Sequence, residues 1–592
     1  MRIGLGILIA GGMVLAETVM AAPSYRDFEG LQIDKLEIHG LPSDLKDDLE
    51  KGLSLAEPGK LFKSRSTLFH AKTLEEDRQR TRLFLAQRGY PRAEVATQVE
   101  RAKGRKVKVT FAVSPGLPVT IERFVLEGVP PKLEKKVMKS LARERGEVVV
   151  DAEIAVTART LESKLRDEGY ALAKVTPQVT PLDSLRVQVR LVAATGQRYV
   201  FGTTRVSGVT PDLVPLAVRT IDIEPGHTYS PESMKNAQDN LRLLDLFRQI
   251  RLTTKPAGSD TLDVIAELSP RDPHTVEVRA GYMSEDLFRA RLGWSGHNTF
   301  DGGRGLEASA SYSQFHQEVK ASTWWPALIG PRTREVLSLR GLREDEDSYS
   351  EWGSGVEVAS WYRKSFRTTY RLFAQFGYSS VNFTSQYEDD FEGLMTVLGV
   401  SWNRDASDDR LRPTRGFVTW AEAKVSPKFL PAAAPFVRGE VGGSFYVPLP
   451  RRTVFAQRLV VGLANPLDET HRLLPSLRFY AGGVNSNRGF ERRMLGPLYP
   501  DQEPAGGEAK VESLTELRFP LVWRFQGAFF LDVGQVWSRV EAMTLDDFQP
   551  SAGWALMVDS PVGPIRVDMG YRLKDPGDQP GNVFHFLIGH PF

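Results

Sequence analysis

Nine histidines are the first candidates for chemistry in this 592-residue chain, and they are scattered. No His-Glu-x-x-His places two of them together as metal ligands, and no Gly-x-Ser-x-Gly sets up a nucleophilic serine. There is no cysteine, which removes disulfides, thiolate metal sites and thiol nucleophiles together. The adjacent carboxylates Asp389-Asp390 and Asp408-Asp409 fall in loop-like, solvated stretches. The net charge is +2, and no basic run is interleaved with aromatics, so a polyanion or nucleic-acid binder is not expected. These residues argue against an enzyme, and neither a cofactor nor a metal is expected.

The chain is too long for one hydrophobic core. Arg2 and an apolar run over 3–16 lead to the small residues Ala21 and Ala22, the pattern of an export signal cleaved near that point. The run is shorter than a bilayer span, and no later segment approaches a helical one. Membrane residence would therefore have to come from strands. A cysteine-free chain suits an oxidising compartment.

From about 31 to 270 the sequence repeats with a period of about 80 residues, longer than solenoid repeats of roughly 20–50. Short strands run into Gly40, Gly128 and Gly208, each followed by helix-like sequence. Gly89-Tyr90 and Gly169-Tyr170 close the helices of the first two copies, and Leu246-Phe247 stands at that point in the third. Alternating strands at 107–113, 185–192 and 262–268 end the copies. Each copy reads as a small β-α-α-β-β domain, a sheet with helices on one face.

After Pro270 the grammar changes to a period of two. Val276, Val278, Ala280 and Tyr282 share one face; so do Tyr370, Leu372, Ala374, Phe376 and Tyr378; so do Ile565, Val567, Met569 and Tyr571. A soluble sandwich would alternate too. A membrane barrel is favoured by tryptophans near strand ends (Trp294, Trp324, Trp352, Trp402, Trp537 and Trp554 among them) and by charge on the opposite faces (Arg566, Asp568 and Arg572), which suits a wet lumen. The remaining ~320 residues give about 16 strands. By parity Asp532 faces the lumen if Phe529, Leu531 and Val533 face lipid, and a lumenal carboxylate can accept a charge-assisted bond.

Three motifs in order now carry a resemblance. Gly482-Gly483-Val484-Asn485-Ser486-Asn487-Arg488-Gly489-Phe490 resembles the Arg-Gly-Phe loop of the outer-membrane protein assembly superfamily, which folds back into the barrel. Phe530-Leu531-Asp532-Val533-Gly534 resembles the strand that receives its arginine, and 560–568, with Gly563, Arg566 and Asp568, resembles the penultimate strand. Phe584, Phe586, Ile588 and Phe592 share a parity and resemble the C-terminal barrel signal, from which His590 and Pro591 depart. Asn403-Arg404-Asp405 with 412–416 is similar to a family hairpin, or is a charged turn.

The resemblance implies tandem polypeptide-transport-associated (POTRA) domains at 28–116, 117–196 and 197–270 in the periplasm, after a signal at 1–21, and a 16-stranded outer-membrane barrel at 274–592. It implies an Arg488–Asp532 contact that locks a long extracellular loop in the lumen, with Gly489 turning its tip. Three POTRA domains most resemble the TamA family, outer-membrane subunits of a translocation and assembly module. That implies a TamB-like, inner-membrane-anchored periplasmic partner, unfolded outer-membrane clients such as autotransporters, and surrounding lipid. Secretion of one dedicated partner, or general BamA-like barrel assembly, are the alternatives. No chemical step is implied. A seam between strands at about 274–282 and 582–592, weakened by Gly281, Gly589 and Pro591, would open sideways and offer a client an unpaired edge.

Overall fold

The computed structural model describes residues 25–56, 68–141, 145–384, 386–468, 472–522, 524–560, 563–574 and 580–588. The expected export signal, Pro561-Val562 of the penultimate motif, and Gly589, His590, Pro591 and Phe592 lie outside the described residues. Among the described residues, no helix is long and apolar enough to cross a membrane.

The described chain forms two compact units, one holding the first two repeats and the other the third repeat with the barrel. Each repeat is a three-stranded sheet in which the first strand pairs parallel with the third, and the third antiparallel with the second. In the first repeat the order is strand Gln32–His39, helices Ser43–Gly52 and Ala71–Ala86, and strands Glu94–Ala102 and Lys106–Ser114. The expected β-α-α-β-β order holds in all three.

The glycines that mark the repeats have one physical cause. Gly40, Gly128 and Gly208 have φ of +87°, +72° and +82°, and a Cβ there would lie 1.9, 2.2 and 2.2 Å from the carbonyl oxygens of Val113, Ala193 and Leu268. Only glycine lets the first strand leave the sheet this close to the third. The Gly-Tyr pairs are helix caps: Tyr90 N donates to Leu85 O at 2.9 Å and Tyr170 N to Leu165 O at 3.1 Å. In the third copy the left-handed residue is Asp245, φ +62°, so the equivalent pair is Asp245-Leu246, one residue earlier than the sequence pattern indicates. Aspartate tolerates this conformation better than most residues.

The second unit continues into sixteen described strands forming one closed antiparallel barrel, from His274–Met283 to Asn582–Ile588. The alternation sorts as expected. Phe529 and Leu531 are 61% and 46% exposed, while Asp532 between Leu531 and Val533 is fully buried. Exposed apolar surface of this extent belongs against lipid. Trp352 and Trp554 are outward, as a girdle requires, but Trp324 and Trp537 point inward. The Trp324 ring fills the space over Gly305, and Trp537 Nε1 donates to Asp547 Oδ2 at 2.9 Å. Strand-end position alone does not set the facing of a tryptophan; parity does.

The third repeat shares its interior with the barrel's near end. Ala327, in a barrel turn, is fully buried among Leu213, Leu216, Leu241 and Leu246 of the repeat. Helix Pro231–Leu243 ends against arginines of the barrel strands: Arg363 Nη1 donates to Leu243 O at 3.1 Å and Arg334 Nη2 to Leu244 O at 2.9 Å. Cations at a helix C-terminus meet its unpaired carbonyls and the negative end of its dipole. Asp212 accepts from Asn298 Nδ2 at 3.0 Å and Gly302 N at 3.1 Å on the same side.

Candidate functional site

The connection between strands Thr453–Pro466 and Ala509–Pro520 packs, through its described residues 473–495, against the inner face of the barrel. Phe479, Ala481, Phe490 and Leu495 of this loop pack with Val397, Phe436, Ala464 and Val536 of the wall. Short bridges (Phe479 with Gly507, Ala481 with Leu495, Leu498 with Pro504) satisfy part of its own backbone.

Arg488 sits at the innermost turn and is fully buried. Its Nε and Nη2 fork onto Asp532 at 2.7 and 2.6 Å, and its backbone N reaches Asp532 Oδ2 at 3.1 Å. Nη1 binds Glu516, and the guanidinium lies 3.7 Å over the Phe530 ring. The planar fork matches a carboxylate in a way a lysine could not.

Strand alternation places the rest of the cluster. Glu516 and Arg518 stand on Ala509–Pro520, Asp532 on Phe525–Trp537, and Arg566 and Asp568 on Gly563–Arg572, all facing inward. Arg566 Nε lies 2.8 Å from both Asp568 oxygens, Arg566 Nη2 lies 2.5 Å from Glu516 Oε1, and Arg518 Nε lies 2.8 Å from Glu516 Oε2. Three arginines thus meet three carboxylates with little solvent, and every charge has an opposite one. The wet lumen expected around Arg566 and Asp568 is not what surrounds them; both are fully buried under the loop.

Other loop atoms are gripped individually. Ser551 Oγ donates to Asn487 Oδ1 at 2.5 Å, and Asn487 Nδ2 donates to Gln549 O at 2.8 Å. Arg572 Nε donates to Gly489 O at 2.8 Å and lies 3.9 Å over the Phe490 ring. Gly489 does not turn the tip through a left-handed conformation, as the sequence suggests; that backbone belongs to Gly482 and Gly483, at φ +98° and +107°. Glycine is needed at 489 for approach, because a Cβ would lie 2.4 Å from Ser551 Cβ. Gly534 lies near Leu495, with a Cβ position 3.6 Å from its Cδ2. Phe584 and Ile588 face outward, away from this cluster, and Phe586 meets the Tyr282 ring across the seam at 6.0 Å.

Glu516 and Arg518 are the members that sequence reasoning missed, although Glu516 joins three arginines. Their signal is the inward series Glu512, Leu514, Glu516 and Arg518 on the strand after the loop. Nearer the far rim, Arg478 forks onto Glu388 at 2.9 and 2.5 Å, and Arg492 onto Glu346 at 2.5 and 2.8 Å. Burial pushes the Glu388 carboxyl up, but the Arg478 guanidinium outweighs it and holds the group below the usual carboxylate range. A depressed folded-state pKa adds stability above the unfolded value, and that stability is lost as pH falls through the folded one. Protease protection of 467–508 is expected to persist down through the ordinary glutamate range of about 4 and to fail only below it. Titrating limited proteolysis against pH checks this; release already at mildly acidic pH would contradict it.

The charged turn after 403–405 is organised by Asp408, whose carboxylate accepts from Thr414 N at 2.8 Å and Arg415 N at 3.0 Å.

Residues 298–592 match the Omp85 superfamily domain, and residues 32–116 match the POTRA family, described as a surface antigen variable number repeat. The chain is 22% identical to outer membrane protein assembly factor BamA of Neisseria meningitidis serogroup B, over 96% of this chain and 78% of that protein. It is 21% identical to BamA of Nitratidesulfovibrio vulgaris, over 95% and 73%. Among solved structures, BamA from Haemophilus ducreyi lacking POTRA domains 1–3 is similar in fold, with a TM-score of 0.62 at 19% identity, covering 80% of this chain and 99% of that one.

Proposed function

This chain belongs to the Omp85 superfamily, an outer-membrane β-barrel with periplasmic POTRA domains, and from that premise we propose that it is the outer-membrane component of a translocation and assembly module. It assists insertion or secretion of β-barrel clients such as autotransporters, with no chemical step.

The observation that carries the reading is the seam. Strands Gly563–Arg572 and Asn582–Ile588 share seven register pairs, from Ile565–Ile588 to Tyr571–Asn582. First and last strands share one among the described residues, Met283 with Leu587. Every other pair of neighbouring strands is consecutive in sequence, whereas the seam joins the first strand to the last, so it can part without breaking a hairpin. A client strand can pair with the edge so exposed by β-augmentation.

The three POTRA sheets supply edges of the same kind for a TamB-like partner and for extended clients. Each sheet leaves its first and second strands at the edge. The second repeat's edge strand, Lys174–Pro181, carries Pro177 and Pro181, which cannot donate. Glu94–Ala102 and Phe247–Pro256 are therefore the better docking edges.

Tethering the seam tests the reading. Tyr282→Cys with Phe586→Cys, joined by a short thiol linker in this cysteine-free chain, is expected to abolish client assembly, and a cleavable linker to restore it. Unchanged assembly in tethered cells would sink the lateral route. A proteomic survey after depletion separates the alternatives: loss of one secreted protein indicates a dedicated channel, and loss of every barrel a general assembly factor.

A further inference from the structure

At the far rim, three elements distant in sequence meet around Glu285, in the turn after the first strand. Its Oε1 accepts from Val484 N of the inserted loop at 2.8 Å. The same oxygen lies 2.9 Å from His585 Nδ1 on the last strand, off the direction of an ideal hydrogen bond. The other ring nitrogen, Nε2, donates to the Arg488 carbonyl at 3.0 Å. One histidine thus contacts both the turn beside the first strand and the locked loop.

An apolar contact lies alongside. Met283, Val484 and Leu587 form a closed cluster, 9%, 1% and 2% exposed. Met283 and Leu587 are also the ladder pair of the seam. Ser284 N donating to Phe586 O at 3.0 Å and Phe586 N donating to Ser284 Oγ at 3.1 Å extend the join. Val484 therefore covers the register pair while its backbone N–H fixes the neighbouring carboxylate.

We propose that Val484 and Glu285 form a keystone, so that seating of the loop itself holds the first strand against the last. At the described end of the seam, the two strands are joined by a third body that contacts both. Loop and seam then behave as one element with two arrangements: seated and shut, or withdrawn and free to part. Glu285, Val484 and His585 are positioning residues; they touch no client. The proposal rests on the seam as a client route only for its use, not for its closure.

Hydrogen exchange of the full chain in lipid nanodiscs tests it, because backbone exchange reads the opened fraction directly. Glu285→Ala removes a carboxylate bond, and Val484→Ser removes the apolar plug. Each is expected to speed exchange at the Ser284 and Phe586 amides about tenfold, the first by losing a hydrogen bond to a charged group and the second by losing buried apolar contact. Glu285→Gln keeps an oxygen for Val484 N and should fall between Glu285→Ala and the parent. Amides in the ladder between His274–Met283 and Leu287–Gly296 should keep their rates. Parent-like exchange at the seam in both variants would overturn the keystone, and so would a uniform rise around the whole barrel. No client is present in this measurement, so a failed tether and a failed keystone give different results.

Discussion

Arg488→Ala is expected to unseat the loop. The substitution strands Asp532 and leaves Glu516 short of one partner in a buried site, and breaking a buried pair from one side costs about 3–5 kcal/mol. The expected readouts are a lower temperature for loss of the compact electrophoretic form, new protease cleavage within 467–508, and impaired client assembly. Asp532→Ala should cost a similar amount, and the double variant much less than the sum, because neither charge is then left alone. Arg488→Lys should be intermediate, since an ammonium cannot make the fork. Additive losses, or a parent-like Arg488→Ala protein, would remove the pair from the explanation. Net stabilisation by buried ion pairs is often small against apolar replacement. The expected gain here is position: six charges that are satisfied in one loop placement and in few others.

The second large effect comes from a residue with no charge. Gly570 lies on the strand Gly563–Arg572, and a Cβ added there would meet the Arg488 carbonyl oxygen at 2.1 Å and its carbon at 2.6 Å. Gly570→Val leaves every charged group in place and obstructs only the seat. Overpacking of this kind costs about 1–3 kcal/mol where neighbours can yield. Here the neighbour is backbone fixed by Asp532 and His585, so the loop as a whole must move. The expected result is protease exposure like that of Arg488→Ala, with the barrel still folded in membranes. A valine accommodated with a protected loop would show that the seat is looser than these distances imply.

Much of this was legible from residue types because local physics and fold agree. Gly40, Gly128 and Gly208 recur because one sheet geometry demands them. Asp532 shows its facing through Leu531 and Val533 on either side, since pleat parity is fixed. The Arg488–Asp532 contact came from motif order, and the structure brings those two residues together. Glu516 was not legible: several charges alternate along its strand, and nothing local says which lies under the loop tip. Gly489 was misread because a glycine in a loop suggests a turn, whereas its need arises from Ser551, 62 residues away. Arg334 and Arg363 look like ordinary strand-end charges; their partner is a helix end about 90 and 120 residues earlier, which spacing cannot reveal. Asp245 hid a helix cap because the pattern sought was glycine.

The shared interior around Ala327 sets an order of events during biogenesis. The first two repeats each have a complete core of their own and can finish folding as soon as they are exported. The third takes one piece of its filling, Ala327, from a hairpin connection that emerges only later in the chain. Until then, the apolar side chains around that position, Leu213, Leu216, Leu241 and Leu246, lack one neighbour. Completion of the cylinder supplies it, so the last module and the barrel reach their final packing together.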